Sequence, residues 1–312
     1  MRTITIAISL LFFHVGLAAQ DNVIVLRVSG QAYYYPHYGS KPISMYPGLV
    51  LDQTGKVRCK GPSTAKLLHN GTTVLVSGSK LRDVQELVKA SASASQMSFT
   101  GRFFNFVTES VKEGESQEKL QKHHRRYMSK TSGGIKGYAT KEYAIVPLLL
   151  TTGKLPAATV IFKWRNTPGE GPYNFRLFEP KGKQVAQLFL RDTFVTLDLD
   201  QVALNIFAEY EWSVTRGESA KSAAMPFEVC PDKDKEVLNE IVKDPYFQSA
   251  DPAEQQLMLA YSLEEERCFY SANNTYAHLL HSDPNNVLLR KMYASFLARM
   301  DMLPEANALV PR

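Results

Sequence analysis

The sequence predicts a multi-domain α+β protein in which two all-β modules precede an α-helical array. Three observations predict it. Short apolar runs separated by turn residues extend from Val23 to Val76. A second, more aromatic set of alternating runs lies between Ala144 and Val229. From about Gln255 to Asn307 the chain echoes itself every 34 residues: Ala260 recurs as Ala294, Leu263 as Leu297, Ala272 as Ala306 and Asn273 as Asn307.

The first nineteen residues have the layout of a secretory signal peptide. Arg2 gives one positive charge, Ile4 to Val15 is mostly apolar, and Gly16-Leu17-Ala18-Ala19 offers small residues for cleavage after Ala18 or Ala19. Thr5, Ser9 and His14 interrupt the apolar run, which is short beside the ~20 residues that cross a bilayer. No cysteine precedes Cys59, which excludes a lipoprotein anchor, and Ala144 to Leu150 is too short to cross a membrane. The expectation is a periplasmic or secreted chain with no stable membrane insertion after cleavage. Cys59, Cys230 and Cys268 lack metal-type spacing and are read as buried thiols, although export permits a Cys230–Cys268 disulfide. A net charge of +5 is too small an excess to point to nucleic acid.

In the first β-module, residues 20–90, Val23 to Val28 reads as a strand buried on both faces. Turns fall at Tyr46-Pro47-Gly48, Gln53-Thr54-Gly55 and Asn70-Gly71, leaving strands at Leu49 to Leu51, Lys56 to Lys60, Ala65 to His69 and Thr72 to Ser77. Lys80 to Ala90 places Leu81, Val84, Leu87 and Val88 on one helical face. The series Tyr46-Pro47-Gly48, Val57-Arg58-Cys59, Ser63-Thr64-Ala65-Lys66-Leu67, Asn70-Gly71 and Val74-Leu75-Val76 resembles a FecR-like domain over about residues 23–87. The resemblance implies an envelope β-module that contacts another protein. The transmembrane helix and anti-sigma segment of full-length family members have no counterpart here, so that role is not carried over.

Residues 91–143 read as a helical and basic connector. Ser91 to Ser95 looks like a flexible link, and Phe99, Phe103, Phe106, Val107 and Val111 share one helical face while Phe104 lies off it. That face is expected to pack on the β-module rather than on a membrane or partner. Lys119, Lys122, His123, His124, Arg125, Arg126 and Lys130 are read as a solvated helix end, without the aromatic interleaving of a nucleic-acid site. His123 and His124, adjacent on a helix, face apart and make no metal pair.

Residues 144–230 alternate at Val160, Phe162 and Trp164, at Phe175 and Leu177, at Val195, Leu197 and Leu199, and at Tyr210, Trp212 and Val214. The turns at Thr167-Pro168-Gly169, Pro180 to Lys183 and Arg216-Gly217 complete the pattern of a Greek-key sandwich. Its order resembles an immunoglobulin or fibronectin type III-like domain, and Tyr210-Glu211-Trp212 resembles a tyrosine corner. Trp164 and Trp212 are expected to meet in one core rather than to bind sugars.

In the last part, 231–312, a helix from Pro231 to Lys243 ends before Asp244-Pro245. Helices then run from about Pro252 to Glu266, Cys268 to His281 and Asn286 to Arg299, with Pro304 opening another. The 34-residue echo over about 252–310 is similar to tetratricopeptide repeats, which implies a helical hairpin array that binds proteins. His278, His281 and Glu264-Glu265-Glu266 are read as solvated.

No Gly-x-Ser-x-Gly elbow, phosphate loop, zinc cluster or dinucleotide fingerprint occurs. The expectation is therefore not an enzyme, with no catalytic, cofactor or metal residues and unassigned partner-binding residues. The order of modules resembles secreted envelope proteins of Bacteroidota, implying an exported adaptor or scaffold with an envelope protein partner. Two alternatives accompany it. One is a carbohydrate or peptidoglycan binder stacking glycan on Tyr33, Tyr34, Tyr35 and Tyr38. The other is a hydrolase whose site lies between modules. Single residues such as Ser63 or His69 could be nucleophile or base only through a spatial arrangement.

Overall fold

The chain is a mixed α+β structure, and the computed structural model describes residues 22–89, 98–131, 144–166, 172–179, 182–202, 204–217 and 220–311. The expected signal peptide at 1–19, the link at Ser91 to Ser95 and the turn at Thr167-Pro168-Gly169 lie outside the described residues.

The first module is two packed sheets. Strands β1 (Val23–Ser29), β2 (Ala32–Tyr35), β3 (Ile43–Ser44), β4 (Val50–Leu51), β5 (Lys56–Cys59), β6 (Thr64–His69), β7 (Thr72–Ser77) and β8 (Arg82–Asp83) form antiparallel sheets in the orders β4-β1-β6-β7 and β3-β2-β5-β8. Asn70 and Gly71, with φ of 44° and 77°, give the β6–β7 hairpin the twist its strands need. Val23, Val25, Tyr34, Val57, Cys59 and Leu67 fill the space between the sheets. Ile24 and Leu68, paired across β1 and β6, face the other way and join the larger core of the molecule. That two-sided burial is why β1 begins as a continuous apolar run. Helix α1 (Val84–Lys89) starts later than the apolar spacing predicts, because Arg82 and Asp83 pair with Val57 and Lys56 as β8.

Helices α2 (Phe99–Glu113) and α3 (Gln117–Thr131) follow, Ser98 capping α2 by accepting from the Gly101 N–H at 3.0 Å. Next comes a sandwich: β9 (Ile145–Pro147), β10 (Gly153–Leu155), β11 (Thr159–Asn166), β12 (Tyr173–Phe178), β13 (Gln184–Leu190), β14 (Phe194–Asp198), β15 (Glu209–Arg216), β16 (Ala220–Lys221) and β17 (Met225–Val229). One sheet has the order β14-β11-β9. The other has the order β10-β17-β15-β12-β13, with β16 beside β15 and only the β10–β17 pair parallel. Trp164 and Trp212 meet between the sheets at a centroid separation of 6.5 Å, with Phe162 and Phe175 against both indoles or one of them. The Tyr210 hydroxyl accepts from the Asn205 N–H at 2.7 Å, tying the start of β15 to the backbone before it, as a tyrosine corner does.

The C-terminal helices are α4 (Lys233–Ile241), α5 (Pro245–Ser249), α6 (Pro252–Glu265), α7 (Phe269–Ser282), α8 (Val287–Arg299) and α9 (Leu303–Leu309). Asp244, Asp251 and Asn286 cap α5, α6 and α8 through side-chain oxygens, and Pro245 and Pro252 occupy first-turn positions where a missing N–H costs nothing. The echo marks equivalent buried places in the hairpins α6–α7 and α8–α9: Ala260, Ala294, Ala272 and Ala306 are all fully buried. None of the helices among the described residues is long and apolar enough to cross a membrane.

In the stretch 98–131 Lys119, Lys122, Arg125, Arg126 and Lys130 are exposed as expected, but the two helices also pack against the C-terminal array. Helix α2 packs on α6 and α8 as well as toward the β-module, and α3 packs on α8 and α9. Phe104, off the apolar stripe, is buried edge-on against Tyr246 at 4.9 Å, because α2 lies between two layers and needs apolar residues on both sides. The C-terminal helices hold both β-modules. Arg27 and Lys66 pair with Asp251 and Glu254, each at 2.6 Å, and Lys291 donates to the Gly48 carbonyl at 2.9 Å. On the sandwich side Lys154 meets Glu266 at 3.0 Å, and Tyr270 accepts from the Ile161 N–H at 3.3 Å.

Gly48 has φ +87°, and a Cβ there would stand 2.7 Å from the Leu288 nitrogen; Gly39, at φ +80°, has nothing within 4 Å. Gly39→Ala should cost only backbone strain, about 1 kcal/mol, whereas Gly48→Ala should cost about 2–3 kcal/mol more by prising the module from α8. Urea unfolding of the two variants decides this, and equal losses would show that the contact is not tight.

Candidate interaction surfaces

The inner faces of the helical array are closed by the chain itself. Arg299 on α8 is buried and reaches Glu264 on α6 through Nε at 3.1 Å and Nη2 at 2.9 Å. Tyr276 on α7 donates to the same carboxylate at 2.9 Å. Arg299 Nη1 donates to Ser295 at 2.7 Å, Ser295 donates to Glu113 on α2 at 2.6 Å, and the other Glu113 oxygen meets His123 Nδ1 on α3 at 2.8 Å. Phe106 of α2 lies under the guanidinium at 5.1 Å and against Tyr261 of α6 at 4.8 Å. One connected set of polar and aromatic groups thus joins α2, α3, α6, α7 and α8.

Burial pushes the Glu264 carboxyl up, opposed by Arg299 and by the Tyr276 hydrogen bond. Burial works against the charge of Arg299, but Glu264, Tyr276 and Glu113 outweigh it and raise its pKa further. At Glu113 burial acts upward too; hydrogen bonds from His123 and Ser295 and the nearby positive charges hold it below the usual carboxylate value. Burial also pushes the Tyr276 hydroxyl well up.

Several sequence expectations change here. Glu264, read as solvated, is the acidic centre of this network, because α8 and α7 bring Arg299 and Tyr276 over it. His123 and His124 do face apart, but each meets a carboxylate: Glu113 and, at 2.7 Å, Asp301. His278 and His281 are exposed. All three cysteines are free and buried; burial pushes Cys230 to about 11 and Cys268 to about 12, leaving neither thiol nucleophilic at neutral pH. Ser63 donates to the Lys60 carbonyl and accepts from the Gln31 N–H, while His69 bonds Gln53, so the two form no nucleophile–base pair. A cavity of about 250 Å³ between the β-module and the helices is lined by Leu26, Phe103, Val107 and Leu257 beside the Arg27–Asp251 pair.

Three outward surfaces among the described residues bear on binding. Strand β13 ends its sheet and, among the described residues, pairs only with β12. Its seven residues include no charge and no proline, and Phe189 is 71% exposed. Another apolar edge, β7, is approached by α5, where Tyr246 hydrogen-bonds Thr73 of β7. In the turn before β15, Phe207 takes φ 61°, a conformation bulky residues rarely adopt, and stands 65% exposed beside Ile206. On β2, Tyr34 is core while Tyr33 and Tyr35 are partly exposed and Tyr38 is fully exposed, so the four tyrosines do not form one surface. The sequence reading missed the neighbours of Tyr33 and Tyr35: Lys56 and Arg58 on β5 with Lys60 just after it, basic at every second position, a period-2 signal already present in the sequence.

No family model matches this chain, and no curated protein matches it.

Two outcomes test the network. Arg299→Met should destabilise the protein by about 3–5 kcal/mol, since it strands a buried carboxylate, and adding Glu264→Leu should restore most of the loss; a double variant no better than the single would refute the pairing. The Glu113 contribution should be present above the ordinary value of 4.5 and lost as pH falls through its lower folded value. Urea unfolding as a function of pH should therefore show wild type and Glu113→Gln converging at acid pH, and a constant gap would sink the assignment.

Proposed function

We propose that this protein is an exported, non-enzymatic adaptor of the bacterial cell envelope that holds a protein partner by strand addition to β13. In this reading the modules are a FecR-like domain, an immunoglobulin-like sandwich and a tetratricopeptide-like array. The sheet orders, the Tyr210 hydrogen bond and the matched burial of the 34-residue echo support those likenesses. The array works as a frame, because α2 and α3 already cover α6 and α8.

The observation that carries the reading is the edge of β13, unpaired among the described residues. Natural sheets guard their edges with charge, proline or covering segments. This edge has neither charge nor proline within the strand. An extended partner segment would complete the ladder, with alternate side chains meeting Gln187 and Phe189 on the outward face. Ala186, Leu188 and Leu190 lie opposite Leu177, Phe175 and Tyr173 and continue the sandwich core to the edge.

The test begins with crosslinking capture from native envelope, followed by binding of the purified partner. Phe189→Lys, at an exposed site, should leave stability within about 0.5 kcal/mol and weaken binding at least about tenfold. The β13 amides should also exchange more slowly in the complex. Unchanged affinity, or slowed exchange elsewhere only, would refute strand addition.

A further inference from the structure

The first β-module is the basic part of the chain. Between Asn22 and Lys89 it has nine Lys and Arg against three Asp and Glu, an excess greater than the +5 of the full sequence. Its two sheets divide that charge. On the sheet facing the helices, Arg27 and Lys66 are neutralised by Asp251 and Glu254. The second sheet lies on the far side of the module core.

Ala32, Tyr34, Val57 and Cys59 of that sheet point into the core. Strand alternation therefore turns Tyr33, Tyr35, Lys56 and Arg58 to the outer face. Tyr33 stands opposite Arg58, and Tyr35 opposite Lys56. Lys60 continues the row, its N–H bonded to the Gln31 carbonyl at 2.9 Å. Lys56 is balanced by Asp83 at 3.0 Å, whereas Arg58 and Lys60 have no carboxylate partner among the described residues. Lys41 before β3 and Arg82 on β8 are exposed at the two edges.

We propose that this outer face binds a linear anionic polysaccharide. Cations on alternate residues of β5 are about 7 Å apart along the strand, a row that follows an extended polyanion. The Tyr33 ring gives flat apolar surface for the C–H face of a sugar ring, with a hydroxyl at its tip, while the Tyr35 ring backs the Arg58 guanidinium. Gln31 and Ser44 flank Tyr33 and offer neutral hydrogen-bonding groups to ring hydroxyls. A single-stranded nucleic acid fits less well. It would require open ring faces for base stacking along a groove, and the Arg58 guanidinium already lies 5.7 Å over the Tyr35 ring on a sheet face. This site is on the other β-module from β13 and does not rest on strand addition.

The experiment is calorimetric titration of the full chain with polygalacturonate, with hydroxyethylcellulose as neutral polymer and oligothymidylate as nucleic acid. Polygalacturonate should bind, more weakly as salt rises, and at least about tenfold tighter than either other polymer. Arg58→Ser combined with Lys60→Ser should lower that affinity at least about tenfold at unchanged melting temperature, since both side chains are exposed. Tyr33→Ala should weaken binding by a factor that does not shrink at high salt. No binding, equal binding of the neutral polymer, tighter binding of oligothymidylate, or undiminished affinity in the Arg58/Lys60 variant would each overturn the proposal.

Discussion

The contact on which the assembly depends is the buried fork between Arg299 and Glu264. Neither charge can be buried alone, so each fixes the position of the other. Ser295, Glu113 and His123 extend the constraint to α2 and α3, and Phe106 closes over the guanidinium. Hydrophobic contact would let these helices slide. Directed hydrogen bonds from a planar guanidinium set the register of α6 against α8, and with it the place of α2.

With that register fixed, the rest follows as layers. The sheet containing β1 lies between its sister sheet and the α2 side, which explains its apolar residues on both faces. The sandwich rests against α7, where Tyr270 and the Lys154–Glu266 pair make the junction. Both β-modules are thereby held by one helical frame, and their remaining outer faces and edges are the parts free to meet other molecules. The binding surfaces proposed above lie on those faces, away from the buried carboxylates, which are engaged in joining helices.

Local features were legible in the sequence because local residues determine them. Asn70-Gly71 demanded its turn, Asp251-Pro252 and Asn286 marked helix starts, and the recurring alanines marked close helix contacts. Trp164 and Trp212, on alternating strands, were bound to meet once the sheets closed. The fate of a charge was not legible. Glu264 and Glu265 are adjacent and alike in sequence, yet only Glu264 points at Arg299, a residue placed there by a different hairpin. The same limit hid the second apolar side of α2, at Phe104, which is explained only by layers contributed by distant segments. The basic row of β5 had a visible period, but its meaning depended on β2 lying beside it with Tyr33 and Tyr35 on the same face.

The position of α2 also governs the order in which the molecule can be completed. It is made before the sandwich, but the helices that cover Phe103, Phe106 and Val107 are made last. During synthesis those side chains stay uncovered until α6 and α8 emerge, a non-local closure that slows folding and exposes apolar surface meanwhile. A chain ending at Cys230 would keep them uncovered. The three parts are thus separable along the sequence but not in folding, and the C-terminal helices act as the final fastening of the middle of the chain.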